Sequence, residues 1–346
     1  MKSPRILIVR LSAIGDAIQT MPVACALRER FPDAFLAWAV ESRAAALLRG
    51  HEALDELIEL PRGWLKSPAG VWRLRRRLHE LQFDTTIDVQ SLTKSAILAW
   101  LSGAKRRIGF GNPGGRELSK WFNNQRVDPK TTHVVDRYLE LLRPLGIESP
   151  TVRFQVPEHE ADRATAETMI GELGLAAGFA IINPGAGWPS KLWPTDRYAA
   201  VARHLGEAWH LPTLVVWAGQ AERAMAEQIA NIAGATVRVS PPTTLPQLAA
   251  ISRRAKLFIG ADTGPLHLAA AVGTPCIGLY GPWPASRHGP YGPQHIALQK
   301  MFFEGSARAR RTAPAIYMES ITTELACEAC DRTIMQSEKC KVKNAK

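Results

Sequence analysis

The sequence predicts an α/β protein with two domains, each built around a parallel sheet. Apolar runs of strand length alternate with helix-like segments, and this pattern restarts after a stretch rich in proline and glutamate at residues 144–160. The length of 346 residues suits two domains. Strands that are apolar throughout and are separated by helices are typical of βαβ units, whose sheets are buried on both faces.

The first half opens with residues 5–11, a continuous apolar run that predicts a strand. A short segment ending at Asp16 follows, and then a helix-like stretch to Arg30. Residues 35–40 and 85–89 predict two further strands, and residues 94–101 predict a helix. We therefore expect a first Rossmann-like domain over residues 1–155.

The second half repeats the alternation, and we expect a second Rossmann-like domain over residues 156–325, facing the first across a cleft. Residues 326–346 are expected to form a disordered basic tail. The predicted strands are residues 179–183, 213–217, 236–239, 256–260 and 276–280, and the predicted helices are residues 195–210, 222–233, 245–253 and 264–272.

Composition excludes several classes of protein. Hydrophobic residues make up 46% and charged residues 22% of the chain, which is ordinary for a globular protein. No apolar run approaches the ~20 residues of a membrane-spanning helix. The first residues lack the apolar core and cleavage site of a secretory signal, so we expect a cytoplasmic protein. The five cysteines are scattered, and the pair Cys327 and Cys330, like Cys340, is expected to be reduced rather than to bind zinc.

Basic charge is concentrated in the first half. The chain has 43 Lys and Arg against 32 Asp and Glu, a net charge of +11, and the window from Arg62 to Arg137 holds 15 basic and 6 acidic residues. The electrostatic field of this positive charge attracts anionic partners. Nucleic acid, an anionic lipid surface and a phosphorylated acceptor are all partners of this kind. A solvated helix face with no partner is the alternative.

Asp16 follows the first strand directly after Gly15, at the edge where parallel sheets bind ligands. It has two interpretations. An acidic residue in the first turn of a helix is stabilised by the helix dipole. A carboxylate at this edge can also act as a general base toward a ligand in the cleft.

Three segments of the second half follow strands in the same way. The loop after residue 183 carries Lys191, which can meet a phosphate as a point charge, or simply connect two elements. Glu222 can accept hydrogen bonds from a ribose or can merely begin a helix. The run from Asp262 to His267 opens a helix whose free amide groups can bind an anion. It contains a single Asp-Thr-Gly, whereas aspartic proteases need two such aspartates, so that class is excluded.

Together these motifs resemble glycosyltransferase family nine, the ADP-heptose:lipopolysaccharide heptosyltransferases, most closely the first heptosyltransferase. The resemblance covers about residues 1–325. Its most specific part joins the DTGPLHLAA and LYGP motifs. The matching segments are ILIVRLSAIGD (6–16) with Pro22, DVQSLTKS (88–95), PGAG (184–187), KLWP (191–194), DTGPLHLAA (262–270) and LYGP (279–282).

The resemblance implies a GT-B fold and transfer of heptose from ADP-heptose, with inversion at the anomeric carbon and with neither a metal nor another cofactor. It implies that Asp16 is the catalytic base and that Lys191 contacts the donor phosphates. The implied donor-binding residues are Gly185, Glu222, Asp262, Thr263, Gly264 and His267, and the acceptor candidates from the basic window are Arg62, Lys66, Arg73, Arg76 and Lys94.

The expected partners are ADP-heptose, an acidic glycolipid acceptor of the Kdo-lipid A type from the lipopolysaccharide inner core, and the anionic inner leaflet of the inner membrane, contacted peripherally. We expect no nucleic acid partner and a monomer. Two alternatives stay open. A relative of the same fold could use another nucleotide sugar or acceptor. A non-catalytic binder of anionic polymer would explain the basic window, but not the acidic residues that follow strand ends.

Overall fold

The computed structural model describes residues 3–344, with side chains to Lys339. The chain divides between Pro157 and Glu158 into two units, two residues beyond the predicted boundary. Within the described range each unit contains one six-stranded sheet, and all strand pairs in both sheets are parallel. The predicted α/β class with two Rossmann-like parallel sheets is confirmed.

The sheet of the first unit has the strand order β3-β2-β1-β4-β5-β6. Its strands are β1 (Arg5–Val9), β2 (Phe35–Glu41), β3 (Glu56–Leu60), β4 (Thr85–Asp88), β5 (Arg106–Phe110) and β6 (Gln125–Val127). Its helices are α1 (Ile14–Arg30), α2 (Ser42–Ala45), α3 (Pro68–Glu80), α4 (Thr93–Leu101), α5 (Ser119–Phe122) and α6 (Val134–Glu140), with 3₁₀ turns at Trp64–Lys66 and Arg143–Leu145.

The sheet of the second unit has the order β12-β11-β10-β7-β8-β9, which is the same topology counted from its own first strand. Its strands are β7 (Ala180–Asn183), β8 (Thr213–Val215), β9 (Val237–Val239), β10 (Leu257–Ala261), β11 (Cys276–Leu279) and β12 (Ile296–Leu298). Its helices are α7 (Glu160–Glu172), α8 (Thr195–Trp209), α9 (Gly219–Ala233), α10 (Leu245–Arg254), α11 (Gly264–Ala271), α12 (Ala285–His288), α13 (Ala307–Arg310), α14 (Ile316–Glu319) and α15 (Thr323–Asn344), with 3₁₀ turns at Pro189–Lys191 and Gly234–Thr236.

In each sheet the direction of strand progression reverses between two central strands, β1 and β4 in the first unit and β7 and β10 in the second. At such a switch point the loops leave toward opposite sides and open a crevice beyond the carboxyl ends of the strands. The segments that follow β1, β7 and β10 carry Asp16, Lys191 and Asp262, so both units place their candidate residues at a switch point.

Helix α15 overturns the prediction of a disordered tail over residues 326–346. Its inward face carries Ala326, Ala329, Cys330 and Ile334, all buried in the core of the second unit. These small or apolar side chains recur at helical spacing and pack against the sheet, so burial of this face stabilises the helix despite its charged outer face. Residues 345 and 346 and the side chain of Cys340 lie outside what the structure describes.

Within residues 3–344, none of the helices combines the length with the apolar character needed to cross a membrane.

The packing of α15 leads to a prediction about stability. Ile334→Ala should lower the free energy of unfolding by about 2 kcal/mol, because it removes buried methyl groups and leaves a cavity. Met335→Ala is the matched control, since that neighbouring side chain is exposed and the change should stay within about 0.5 kcal/mol. Urea unfolding of both variants measures the difference. Equal stability of the two would show that α15 does not contribute to the core.

Candidate active site

Asp16 lies in the first turn of α1, where its carboxylate is held by three groups of the first unit. Oδ2 forms an ion pair with the Arg10 guanidinium at 2.5 Å and accepts the Ala13 amide at 3.2 Å. Oδ1 accepts a longer hydrogen bond, 3.3 Å, from the Tyr138 hydroxyl. Burial lowers the pKa of Arg10, but the charge of Asp16 outweighs this and the net shift is upward. Asp16 is therefore a carboxylate fixed in place by a buried cation.

A pocket of about 840 Å³ opens at the carboxyl edge of the first sheet, and residues 11–14, which precede Asp16 in the chain, are part of its lining, whereas Asp16 itself is not. Ser12, Ala13 and Ile14, which lead into α1, form one side of it. Three of the five predicted acceptor residues, Arg62, Lys66 and Lys94, line the pocket, as do Arg43 and Glu41. Lys94 forms an ion pair with Glu41 at 2.9 Å. The pocket is concave, basic and adjacent to a carboxylate, which suits an acidic, hydroxyl-bearing ligand.

The structure does not bring the other two acceptor candidates, Arg73 and Arg76, to this pocket. Both lie on α3, whose inward face is formed by Val71, Leu74 and Leu78. Helical spacing from these residues points positions 73 and 76 to solvent. The excess of basic residues between positions 62 and 137 could not, by itself, distinguish the residues that line the pocket from those on the exposed face of α3.

In the second unit, Lys191, Asp262 and His267 form one cluster. The Lys191 ammonium donates to the Asp262 carboxylate at 2.5 Å and to the Asp262 carbonyl at 3.1 Å, and His267 Nε2 lies 3.1 Å from the other carboxylate oxygen. Burial would raise the pKa of Asp262, but the hydrogen bond with His267 and the charge of Lys191 outweigh it and lower that pKa well below its usual range. Asp262 is thus ionised and orients two cationic or polar groups.

Thr263 and Gly264 follow Asp262 and begin α11. Thr263 is the N-cap residue, Gly264 is the first helical residue, and Pro265 occupies the next position, where a missing N–H costs nothing. The Thr263 hydroxyl accepts a hydrogen bond from Asn183, the last residue of β7, at 3.3 Å. The start of α11, whose free amides favour anions, is thereby tied to the loop that carries Lys191.

Gly185 and Glu222 meet at the same edge of the second sheet. A Cβ at position 185 would overlap the Glu222 carboxylate, so only glycine allows this approach. The carboxylate accepts the Ala218 amide at 2.8 Å, and burial raises the pKa of Glu222. All six predicted donor residues and Lys191 therefore lie around the carboxyl ends of β7, β8 and β10.

A comparison with sequence models of known protein families shows which family the chain belongs to. The model for glycosyltransferase family 9 (heptosyltransferase) matches residues 71–314. The chain belongs to glycosyltransferase family 9. It is thus a glycosyltransferase. The alternative hypothesis, a non-catalytic binder of anionic polymer, is rejected.

Relatives within this family cover most of the chain. The lipopolysaccharide core heptosyltransferase OpsX of Haemophilus influenzae is 28% identical over 82% of this chain and 81% of its own length. Lipopolysaccharide heptosyltransferase 1 of Pseudomonas aeruginosa is 28% identical over 86% and 84%, respectively. Escherichia coli WaaC, solved with ADP and with ADP-2-deoxy-2-fluoro heptose, is 25% identical and covers 95% of this chain and 99% of its own, with TM-scores of 0.75 and 0.72.

Sequence reasoning missed three residues that this family 9 enzyme places beside its candidate site. Arg10 and Tyr138 contact Asp16, and the Trp283 ring lies 4.8 Å from the Lys191 ammonium. An arginine that ends an apolar strand was a signal for Arg10, because a buried cation needs a partner. Tyr138 had no such signal, since its position depends on the packing of α6 against α1, far apart in the chain.

The lowered pKa of Asp262 predicts a pH-dependent contribution to stability. A carboxyl group whose pKa is lowered by folding stabilises the folded state above the pKa of the unfolded chain, about 4. Asp262→Asn should therefore cost about 3 kcal/mol at pH 7, and the difference from wild type should shrink as pH falls below about 5. Urea unfolding from pH 7 to pH 3 measures it.

Asp196→Asn is the control for this prediction, because Asp196 is an exposed acid in the first turn of α8. It should cost less than about 1 kcal/mol. A difference between wild type and Asp262→Asn that stays constant over this pH range would contradict the ionic role of Asp262.

Proposed function

We propose that this enzyme transfers heptose from ADP-heptose to the acidic inner core of lipopolysaccharide, a Kdo-lipid A type acceptor, with inversion and without a metal. The observation that carries the proposal is the Lys191–Asp262–His267 cluster at the start of α11. This cluster lies at the switch point of the second sheet, where nucleotides bind in sheets of this type. The relationship to WaaC, solved with an ADP-heptose analogue, supports the choice of donor.

The second unit would bind the donor. Glu222 would accept hydrogen bonds from ribose hydroxyls, and the absence of a side chain at Gly185 lets the Glu222 carboxylate come close to the loop after β7. Lys191 uses two contacts on Asp262, and an ammonium has three N–H groups, so a further donor can reach a phosphate oxygen. The amides of Thr263 and Gly264 add the partial positive charge of the helix start. Together they offset the charge that develops on the departing ADP.

The first unit would bind the acceptor. Arg62, Lys66 and Lys94 give the 840 Å³ pocket a basic lining, which complements carboxylate or phosphate groups on an acidic saccharide. Glu41 lies against Lys94 and keeps that ammonium oriented along the wall. Asp16 lies in the first turn of α1, two residues after Ile14, which lines this pocket, and under this proposal a hydroxyl of the bound saccharide approaches its carboxylate.

The proposed reaction is a single displacement. Asp16 takes the proton of the acceptor hydroxyl while its oxygen bonds to the anomeric carbon, on the face opposite the leaving group. The bond between that carbon and the phosphate oxygen breaks, and ADP leaves with the electron pair. Arg10 holds the carboxylate in one orientation throughout. The configuration at the anomeric carbon is thereby inverted.

Asp16→Asn tests the assignment of the base. It keeps the side-chain shape but removes the proton acceptor, so kcat should fall by about 10² to 10⁴ while ADP affinity stays within about twofold. Glu59→Gln, a carboxylate change on an exposed residue of the same unit, should leave kcat unchanged. Heptosyl transfer from ADP-heptose gives kcat, and calorimetry gives ADP affinity, which also reports that the second unit is folded. Wild-type turnover in Asp16→Asn would refute the assignment.

The proposed acceptor is held in a membrane, and one surface of the first unit suits peripheral contact with the anionic cytoplasmic leaflet. Trp72, Trp100 and Trp121 are 62%, 49% and 85% exposed. Arg76 lies over Trp72 at 5.2 Å, and Arg75 lies over Trp100 at 6.0 Å. Trp100 also contacts Phe122, which directly follows Trp121 in the chain. Amphipathic rings with flanking arginines are typical of the interface of anionic membranes.

The double variant Trp72→Ser/Trp121→Ser should bind phosphatidylglycerol vesicles at least about tenfold more weakly than wild type, because two interfacial anchors are lost. Ile232→Ser is the control, since Ile232 is an exposed apolar residue of the other unit. Cosedimentation at low and high salt measures binding, which should weaken with salt. Unchanged binding of the double variant would refute the role of this surface.

A further inference from the structure

A second pocket, of about 610 Å³, lies in the second unit apart from the residues assigned to the donor. It is lined by two segments of the chain, one contributing Trp188, Pro189 and Ser190 and the other Arg308, Arg311, Thr312, Ala313 and Ala315. None of the predicted donor residues lines it. We call it the arginine pocket, after its residues Arg308 and Arg311, which face Trp188 and Ser190 across it.

The charge of this pocket is uncompensated. Neither Arg308 nor Arg311 forms an ion pair with any carboxylate in the described part of the chain, and the lining contains no acidic residue. The two residues are three positions apart on α13 and its C-cap, which keeps helical geometry, so they share one face. Two guanidinium groups on one face can converge on a single anion.

Trp188 gives one of these cations a fixed orientation. The Arg311 guanidinium lies 4.4 Å from the centre of the Trp188 ring. Stacking on an indole occupies the flat face of a guanidinium and leaves the N–H groups in its plane available. Arg311 is therefore oriented before any ligand arrives, and this lowers the entropy lost on binding.

Ser190 supplies an independent sign of a ligand. The residue lines the pocket and is 3% exposed, yet its hydroxyl has no hydrogen-bond partner among the described residues. A buried hydroxyl without a partner is costly, so native proteins seldom keep one. The hydroxyl oxygen is enclosed, so it reaches a ligand oxygen in the pocket through rotation of the Ser190 side chain about χ1 to another staggered rotamer.

The pocket is next to the donor cluster in the chain and in space. Ser190 directly precedes Lys191. Arg310, between the two arginines of the pocket, lies 5.7 Å from the Trp283 ring, the ring that Lys191 contacts at 4.8 Å. A group bound in the pocket thus lies near Lys191, where the proposed function puts the donor phosphates.

We propose that the arginine pocket binds a phosphomonoester. Two convergent guanidinium groups match the double negative charge of a phosphomonoester, whereas a carboxylate carries a single charge. The three phosphoryl oxygens can accept hydrogen bonds from Arg308, Arg311 and Ser190 together. The source of the phosphoryl group is either the acceptor saccharide or free phosphate, and the first source rests on the proposed heptosyl transfer.

Binding is tested on the full-length protein by the indole ¹H–¹⁵N resonance of Trp188, assigned with Trp188→Phe. Titration with methyl phosphate should shift this resonance saturably, and methyl sulfate, a monoanion, should bind more weakly. In Arg308→Gln/Arg311→Gln the affinity for methyl phosphate should fall at least about tenfold. Arg163→Gln, an exposed arginine on α7 in the same unit, is the matched control and should bind as wild type does. No saturable shift, or equal affinity in the double variant, would overturn the site.

Kinetics distinguish the two sources. With an acceptor that carries a sugar phosphate, the double variant should raise the acceptor KM about tenfold and leave the KM for ADP-heptose unchanged. After phosphatase treatment of that acceptor, wild type and double variant should behave alike. An unchanged acceptor KM together with lost methyl phosphate binding would assign the pocket to free phosphate. Absence of any transfer by wild type would refute the proposed function and leave the resonance test of the site intact.

Discussion

The order of strands in the two parallel sheets is the constraint on which the candidate sites depend. In each sheet the first three strands are added from the centre toward one edge. The chain then returns to the centre, and the next three strands are added toward the other edge. Loops on either side of the central pair therefore diverge, and the space between them is accessible to a ligand. Asp262 directly follows β10, and Asp16 lies in the first turn of the helix that follows β1, so the backbone of a central strand leads to both residues.

An ion pair then fixes the orientation of the acidic side chain in each unit, with a buried arginine on a half-buried Asp16 in the first and a largely buried pair in the second. Arg10 and Asp16 in the first unit, and Lys191 and Asp262 in the second, each bring opposite charges within 2.5 Å. Removing such charges from water is costly, and well-packed apolar residues would stabilise a fold as well or better. The proposed function gives each pair a role: the fixed carboxylate of Asp16 would serve a proton transfer, and the fixed ammonium of Lys191 would serve a phosphate.

The sequence allowed prediction of the central strands, because β1, β7 and β10 are apolar throughout and are covered on both faces. It did not allow prediction of β3, in which Glu56 and Glu59 interrupt the apolar pattern, or of the three-residue edge strands β6 and β12. Short edge strands form because a neighbouring strand offers hydrogen-bonding groups, and that neighbour is remote in the chain. Helix α15 was missed for a related reason, since its inward face consists largely of small side chains whose burial depends on the sheet beneath them.

The basic window shows why the charged part of the site was harder to predict than the carboxylates. An acidic residue soon after a parallel strand lies at the carboxyl edge of the sheet. A lysine or arginine on a connecting segment can instead face either a pocket or solvent. Here the basic residues of the window lie on two surfaces of different shape. Arg62, Lys66 and Lys94 line a concave pocket, whereas Arg75 and Arg76 flank exposed tryptophans. The proposed function requires positive charge for both tasks, binding of an acidic acceptor and contact with an anionic membrane. Both surfaces are therefore positively charged. Under the proposed function they differ in shape, since the saccharide binds in a concave pocket and the bilayer contacts exposed tryptophans.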